Sequence, residues 1–424
     1  MPNLLPRRDF LVSAVAATTL LQSRSKIHAA TSPNRRLRVA VMGLGRGLDL
    51  ARAAVSLPDV ELAWLCDIDG ERITRAQKAL EDKLTQTPRT THDICTVLDD
   101  KEVDAVFIAA PNHWHAPASI MACAAGKHVY VEKPCSHNPW EGEMMLKAAR
   151  KYNRLVQMGN QRRSWPGVVE SMQQLKDGVI GKVRYARSWY LANRGTIGTG
   201  KVVKIPQNQD YNLWQGPAPE RPYLDNVVHY NWHWRWHWGN GELGNNGIHA
   251  LDLVRWGLEV DFPTKVGCTG GRYHFSDDQE TPDTTITTFD FGQKGALWDG
   301  SSCHPRSQES SAFVTFYGEG GSLSIDGNGG KVFDAKGKEI AKNTGEAGEK
   351  GHIANFFNAI RNGSKLNSEI AEGVKSTLLC HLGNIAFRTR SVLDIDPKTG
   401  QILHNKEAQK LWKREYRKGW EPKV

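Results

Sequence analysis

The sequence predicts an α/β domain in which strands alternate with helices, followed by an α+β domain built on a large, predominantly antiparallel open sheet. Three observations carry this reading. Between residues 37 and 159, short apolar runs alternate with amphipathic stretches, the pattern of parallel βαβ units. The first of those runs passes directly into a glycine-rich turn. After about residue 160 the runs are rich in Val, Tyr, Phe, Thr and Trp, with turn residues between them and few helices, which is the style of antiparallel sheets.

In the first domain, Leu37 to Met42, Val60 to Cys66, Val103 to Ala109, His128 to Val131 and Leu155 to Met158 read as strands. Residues 48–57, 71–84, 114–125 and 141–152 suit helices. In the second domain, expected over 160–390, strands are read at Gly181–Ala192, Thr284–Phe291, Gly295–Asp299, Ser311–Tyr317 and Ser322–Ile325. Helix returns at 352–361 and 369–390, and 391–424 reads as a C-terminal extension. A chain of 424 residues exceeds one ordinary domain. No repeat or low-complexity tract is present.

The first thirty residues read as a targeting segment. Arg7-Arg8-Asp9-Phe10-Leu11 precedes an apolar run to Leu21, and Ala29-Ala30 offers small residues for cleavage. The adjacent arginines resemble a twin-arginine export signal, which implies a periplasmic protein exported with its cofactor in place. Residues 31–36 then form a linker. Four basic side chains in residues 1–30 account for part of the net charge of +9. The remaining charges are mixed without a basic run, so a nucleic-acid partner is not indicated. No run of about 18 apolar residues is present, so no membrane span is expected in the mature form. The seven cysteines are scattered without a CxxC, and free thiols are expected.

The strand-to-turn junction Gly43-Leu44-Gly45-Arg46-Gly47 opens a helix. Such a turn lets backbone N–H groups and the helix N-terminus face a pyrophosphate. Gly43 and Gly45 fit the Rossmann dinucleotide fingerprint, whereas the third glycine position holds Leu48, with Gly47 one residue earlier. Asp67 ends the second strand, 24 residues after Gly43, and is placed to bond ribose hydroxyls. An acid there repels a 2′-phosphate, so NAD is favoured over NADP.

Three further segments carry a family resemblance: Ala110-Pro111-Asn112-His113-Trp114-His115, Val131-Glu132-Lys133-Pro134, and Gly244-Asn245-Asn246-Gly247-Ile248-His249-Ala250-Leu251-Asp252. With the glycine turn, they resemble the glucose-fructose oxidoreductase, inositol dehydrogenase and rhizopine catabolism (Gfo/Idh/MocA) family over nearly the whole mature chain. Leu382 to Ala386 and Arg414 to Trp420 resemble its exported branch. The resemblance implies that Lys133 lies beside the nicotinamide and the substrate carbinol, behind a cis bond to Pro134. It also implies that His249 is the general base. The family usually has aspartate four residues before that histidine, and here Asn245 stands there and cannot titrate. Asp252, one turn beyond, either orients the imidazole or braces the helix. Leu44, Arg46, Asn112, His115, Glu132 and Gln161 are expected around the cofactor, and Arg162 at the cofactor or substrate. Relatives often pair through the outer face of the second sheet, so a homodimer or homotetramer is expected.

Residues 229–238 read His-Tyr-Asn-Trp-His-Trp-Arg-Trp-His-Trp. Period two is not helical, so the segment reads as extended chain or loop. His229, His233 and His237 have no acidic or Cys cluster beside them, which disfavours a metal. Core packing is one reading of the tryptophans. The preferred one is a substrate-facing loop, with Trp234 and Trp236 stacking on sugar C–H faces and Arg235 bonding hydroxyls.

These features support a nicotinamide-dependent oxidoreductase that moves hydride between a sugar or polyol carbinol and NAD(P), with Lys133 and His249 in acid/base roles. A redox-assisted glycosidase is the second reading: oxidation, elimination of the glycosidic bond, then re-reduction. A carbohydrate-binding protein that kept the fold without the chemistry is the third.

Overall fold

The computed structural model describes residues 36–304, 306 and 308–424. The expected export signal at 1–30 and nearly all of the linker lie outside them. Leu37–Val424 forms one compact unit.

Strands β1 (Leu37–Met42), β2 (Val60–Cys66), β3 (Arg89–Thr91), β4 (Ala105–Ile108), β5 (His128–Val131) and β6 (Val156–Met158) form one sheet. Its order is β3-β2-β1-β4-β5-β6, and every pairing is parallel. β4 and β6 are wholly buried and β1 and β5 nearly so, because helices cover both faces of such a sheet. Helices Gly47–Val55, Gly70–Leu80, Asn112–Ala124 and Pro139–Lys151 fall close to the expected spans. Each starts one or two residues upstream of its expected bound, and two of them begin on a capping side chain. Asp69 accepts from the Glu71 N–H, and Asn138 from the Glu141 N–H with Pro139 at the first helical position.

The second sheet has ten strands. They are β7 (Val183–Leu191), β8 (Lys265–Gly271), β9 (Thr284–Asp290), β10 (Gly295–Ser301), β11 (Val314–Gly318), β12 (Gly321–Asp326), β13 (Gly329–Asp334), β14 (Glu339–Asn343), β15 (Leu393–Ile395) and β16 (Ile402–Leu403). The order is β14-β13-β12-β11-β7-β10-β9-β8-β15-β16. All pairings are antiparallel except β7 with β10. Strand β9 alternates buried Thr285, Thr287 and Phe289 with exposed neighbours, so one face is packed and the other open.

Two helices tie the halves together. Ile370–Thr389 is buried along most of its length and packs against helix Pro139–Lys151, helix Ile248–Leu258 and β8. Helix Lys350–Asn362 follows the second sheet in sequence yet places Ile353, Phe356 and Phe357 in the core of the first domain. There Phe356 meets Phe107 edge-on, with centroids 6.0 Å apart.

Candidate active site

The order of the first sheet reverses between β1 and β4. A crevice opens at the carboxyl ends of those strands, where α/β sheets bind ligands. Gly43 follows β1 with φ +86°, and a Cβ there would sit 2.5 Å from the Ala109 carbonyl oxygen after β4. Only glycine meets both demands. A Cβ at Gly45 would meet the Arg72 guanidinium at 2.7 Å. Residue 47 supplies the close helix–sheet approach that the third glycine normally gives: its Cβ would lie 2.7 Å from Val41. The departure at Leu48 is thus a turn shorter by one residue, and Leu48 itself is buried. The bare turn residues leave the backbone facing the cleft, so the site fits a dinucleotide.

Asp67 is buried beside the turn. One carboxylate oxygen accepts the Leu44 N–H at 2.6 Å, the other the Asp69 N–H at 3.0 Å. Burial pushes its pKa up, and those two bonds with Arg72 oppose the rise. Leu44 thus contributes its backbone, its side chain being buried.

The first-domain wall of the cleft includes Gly43, Gly45, Arg46, Asp67, Arg72, Trp114, His115, Glu132 and Lys133. The second-domain wall is Trp214, His229, Tyr230, Trp232, His233 and Asn245. Arg46 pairs with Glu132 at 3.2 Å and with Glu349. The buried His115 ring lies 2.6 Å from the Pro134 carbonyl, which pins the turn that carries Lys133. The Lys133–Pro134 bond is cis.

Lys133 meets the second domain directly. Its ammonium donates to the Asn245 carbonyl at 3.0 Å and to Asn245 Oδ1 at 3.3 Å. Burial lowers its pKa; the Glu132 and Glu242 carboxylates resist this, while Arg46 and Arg194 add to it. Asn245 lies in the π-helical turn Leu243–Gly247 that leads into helix Ile248–Leu258. His249 follows one turn later. Its Nδ1 is buried and has no hydrogen-bond partner. Burial holds its pKa well below the ordinary value, and Lys133 is the charge acting most strongly upon it, ahead of Arg162 and Arg46. His249 is not among the residues that line the cleft; it stands behind Asn245 as a neutral imidazole within electrostatic reach of Lys133, a form that can accept a proton. Asp252 does not touch it. That carboxylate grips Arg163 at 2.8 and 2.9 Å and accepts from Ser376 at 2.7 Å, so it braces the helix.

Several expected residues stand away from the cleft. Asn112 is buried and donates to Asn240 Oδ1 at 2.9 Å. Gln161 donates to Glu349 at 3.4 Å and so reaches the site only through the partner of Arg46. The Arg162 guanidinium lies over Trp165 and Phe313 and donates to the Gly327 carbonyl.

The aromatic segment corrects the sequence reading most. Asn231–Trp234 is a 3₁₀ turn, not extended chain, and the turn rotates alternate residues away from one face. Trp234 is 2% exposed, with the Arg194 guanidinium 4.9 Å over its ring. Arg235 is spent on Asp278 at 2.8 Å and Asn226 at 3.0 Å. Trp236 lies under Arg388 in a separate surface pocket. Tyr230, Trp232 and His233 face the cleft in their place. The three histidines bond separate groups: His229 to Asp69, His233 to the Tyr230 carbonyl and His237 to the Pro219 carbonyl.

The segment before these aromatics is strapped across the end of the crevice that holds Asp67. The Gly70 N–H donates to the Asn208 carbonyl at 3.0 Å, and the Asp210 N–H to the Ile68 carbonyl at 2.9 Å. Asp69 accepts from Asn208 Nδ2 at 2.8 Å and Gln209 Nε2 at 3.1 Å, and lies 2.8 Å from His229 Nε2. Ile68 also packs on the cluster of Tyr211, Trp214, Tyr223, Val227, Trp232 and Trp238. Sequence reasoning missed the strap because its partners are more than a hundred residues apart.

Comparison with known proteins bears on this arrangement. Residues 37–160 match a family described as "Oxidoreductase family, NAD-binding Rossmann fold". Residues 185–422 match its companion, "Oxidoreductase family, C-terminal alpha/beta domain". The D-glucoside 3-dehydrogenase of Escherichia coli is 25% identical over 335 residues, 72% of this chain and 83% of that protein. A glycosyl hydrolase family 109 protein of Stenotrophomonas maltophilia is 30% identical over 199 residues, 44% of this chain and 42% of that protein. The matched stretch spans less than half the length of the first curated relatives, between 36% and 48%. Among solved structures, the WlbA dehydrogenase of Bordetella pertussis, in complex with NADH and UDP-GlcNAcA, superposes with a TM-score of 0.66 at 18% identity, over 85% of this chain and 99% of that one. That likeness shows the fold.

Proposed function

The chain belongs to the Gfo/Idh/MocA oxidoreductase family, and we propose that it transfers hydride between a sugar or polyol carbinol and a bound nicotinamide dinucleotide. The observation that carries the proposal is the meeting of Lys133 and Asn245 in a cleft whose other end is the glycine turn with Asp67. When bound, the dinucleotide supplies the hydride acceptor. The residues here do the rest. The open turn and Asp67 hold the nucleotide. Lys133 has two of its N–H groups on Asn245, which leaves a third for the carbinol oxygen. That donation stabilises negative charge as the hydroxyl loses its proton. His249, neutral and within electrostatic reach of Lys133, takes the proton. Tyr230, Trp232 and His233 offer aromatic faces to the C–H side of a sugar ring. Arg72, beside Asp67 and Gly45, adds a positive charge where Asp67 would meet the ribose, so NADP is the second candidate after NAD.

The test is chemical. Released nucleotide is identified by mass, and the protein is incubated with polyols, hexoses and aryl glycosides. A ketosugar formed with the glycosidic bond intact supports the proposal. Bond cleavage with no net nucleotide reduction favours the redox-assisted glycosidase, which the family 109 relative supports. Intact sugar with no bound nucleotide defeats both.

The strap supports a retained cofactor, and retention suits export with the nucleotide in place, as the paired Arg7-Arg8 suggests. Asn208 and Gln209 hold Asp69 without lining the cleft. Asn208→Ala combined with Gln209→Ala removes the two amide donors to Asp69, each worth about 1 kcal/mol or more, together with the Gln209 contacts to His229 and Tyr223. Nucleotide release, followed by stopped-flow displacement, is expected to quicken about tenfold or more. An unchanged rate would mean that the strap does not retain the ligand. The outer face of the second sheet exposes Tyr185, Ile286 and Tyr317, an apolar surface that supports self-association as a homodimer or homotetramer.

A further inference from the structure

Asn245 occupies the position where the resemblance leads one to expect an ionised aspartate, and its neutral amide has two possible orientations. Its neighbour decides between them. Glu242, buried at 6% exposure one turn earlier, accepts from Asn245 Nδ2 at 3.4 Å and from Asn246 Nδ2. Reversing the amide would set its oxygen against that carboxylate and its NH₂ against the Lys133 ammonium. The carboxylate therefore fixes Asn245 Oδ1 toward Lys133. Glu242 is held in turn by Arg194, which donates to it at 2.9 and 3.4 Å. Arg194 also donates to Tyr230 Oη at 3.1 Å and Tyr190 Oη at 3.2 Å. A continuous polar chain thus runs Lys133–Asn245–Glu242–Arg194–Tyr230, from the amine to the aromatic wall of the cleft.

We propose that Glu242 is the positioning residue of the site: acting through Asn245, it supplies the negative charge that the missing aspartate would have given Lys133, and through Arg194 it sets Tyr230 against the substrate. The catalytic part of this rests on the function proposed above; the geometry does not. A carboxylate used only to satisfy Arg194 would not need the two asparagine amides, and Arg194 alone would not order Asn245.

The charged and titratable groups that act on Lys133 are Glu132, Glu242, Arg46 and Arg194, with the neutral rings of His115, His233 and His249 alongside. Those around Glu242 are Arg194, Lys133 and Tyr190. Of the two acids that keep Lys133 charged, Glu242 is the one aligned with its hydrogen-bonding amide.

The test reads the amine itself. The rate at which Lys133 reacts with an amine-directed reagent is followed against pH in the nucleotide-loaded full chain, by peptide mass. Glu242→Gln is expected to move the midpoint down by about one pH unit, since a neighbouring negative charge in a partly buried site is worth about that much. Glu242→Asp keeps the charge and is expected to stay within a few tenths of the native midpoint. The alkaline limb of kcat moves with the labelling midpoint, because the charged amine is the working form, while KM changes less than about threefold. If Glu242→Gln does not fold, Asn245→Ala serves instead: it leaves the Glu242–Arg194 pair in place and is expected to shift the midpoint in the same direction. A midpoint that stays put in whichever of these folds overturns the assignment. Native protein that labels as expected but reduces nucleotide with no sugar or glycoside faults the proposed function and leaves the positioning role standing.

Discussion

Lys133→Met is expected to lower kcat about 10³-fold while the chain still folds and still carries its nucleotide. Methionine fills nearly the same volume with an apolar stem, so packing beside Asn245 is preserved. The substitution removes the donor that Asn245 accepts through two oxygens and the positive charge near the carbinol oxygen. Groups that move protons or stabilise an oxyanion in a closed site contribute roughly 10²–10⁴-fold. The measurement is kcat and KM with the best sugar found, beside nucleotide content per chain. A fall of less than about tenfold would remove Lys133 from the reaction. The pH profile gives the matching sign for His249. Its pKa is depressed, first by burial and then by Lys133, so the imidazole stays a free base as pH falls through the ordinary histidine range. The acid limb of kcat therefore lies well below that range.

Gly43→Ala is expected to cost at least about 100-fold in nucleotide affinity, read by fluorescence titration and by nucleotide retained through gel filtration. Two effects add. At φ +86° an alanine is strained by roughly 1–2 kcal/mol. Its methyl would also lie 2.5 Å from the Ala109 carbonyl oxygen and 2.8 Å from the Ala110 nitrogen, both backbone atoms that cannot swing aside. Relief requires the turn to leave β4, and this disturbs the Leu44 N–H bond to Asp67. Gly45→Ala is the control. Its methyl meets only the mobile tip of Arg72, so it is expected to weaken binding less than Gly43→Ala while leaving thermal stability nearly unchanged. Equal losses from the two would mean that the turn geometry is not what binds the ligand.

The parts legible in the sequence were those governed by local rules. The apolar run of β1, the glycines after it and the acid ending β2 each follow from short-range geometry. Lys133 and Asn245 were legible by resemblance, and the structure brings them within hydrogen-bonding distance. Other features depend on partners far along the chain. Asn112 is drawn to Asn240, 128 positions away. Helix Lys350–Asn362 completes the first domain's core from beyond the second sheet. Strands β8 and β13 begin Lys-Val-Gly and Gly-Gly-Lys, too weak in β-propensity to stand out before their neighbours pair with them. In the aromatic segment, distant partners override the period of two: Asp278 pairs with Arg235, and Arg194 lies over the Trp234 ring. Glu242 carried no motif of its own, and only the direction of the Asn245 amide reveals it.

The most direct test of the central claim is a single-turnover experiment on the protein with the nucleotide it carries, oxidised beforehand. Sugar is mixed in excess, and reduction of the nicotinamide is followed by absorbance in native protein and in Lys133→Met. The account predicts nearly one nicotinamide reduced per chain in the native protein, and reduction about 10³-fold slower in the variant at the same nucleotide content. Equal rates in the two, or native protein in which sugar binds and the nucleotide stays oxidised, would contradict it.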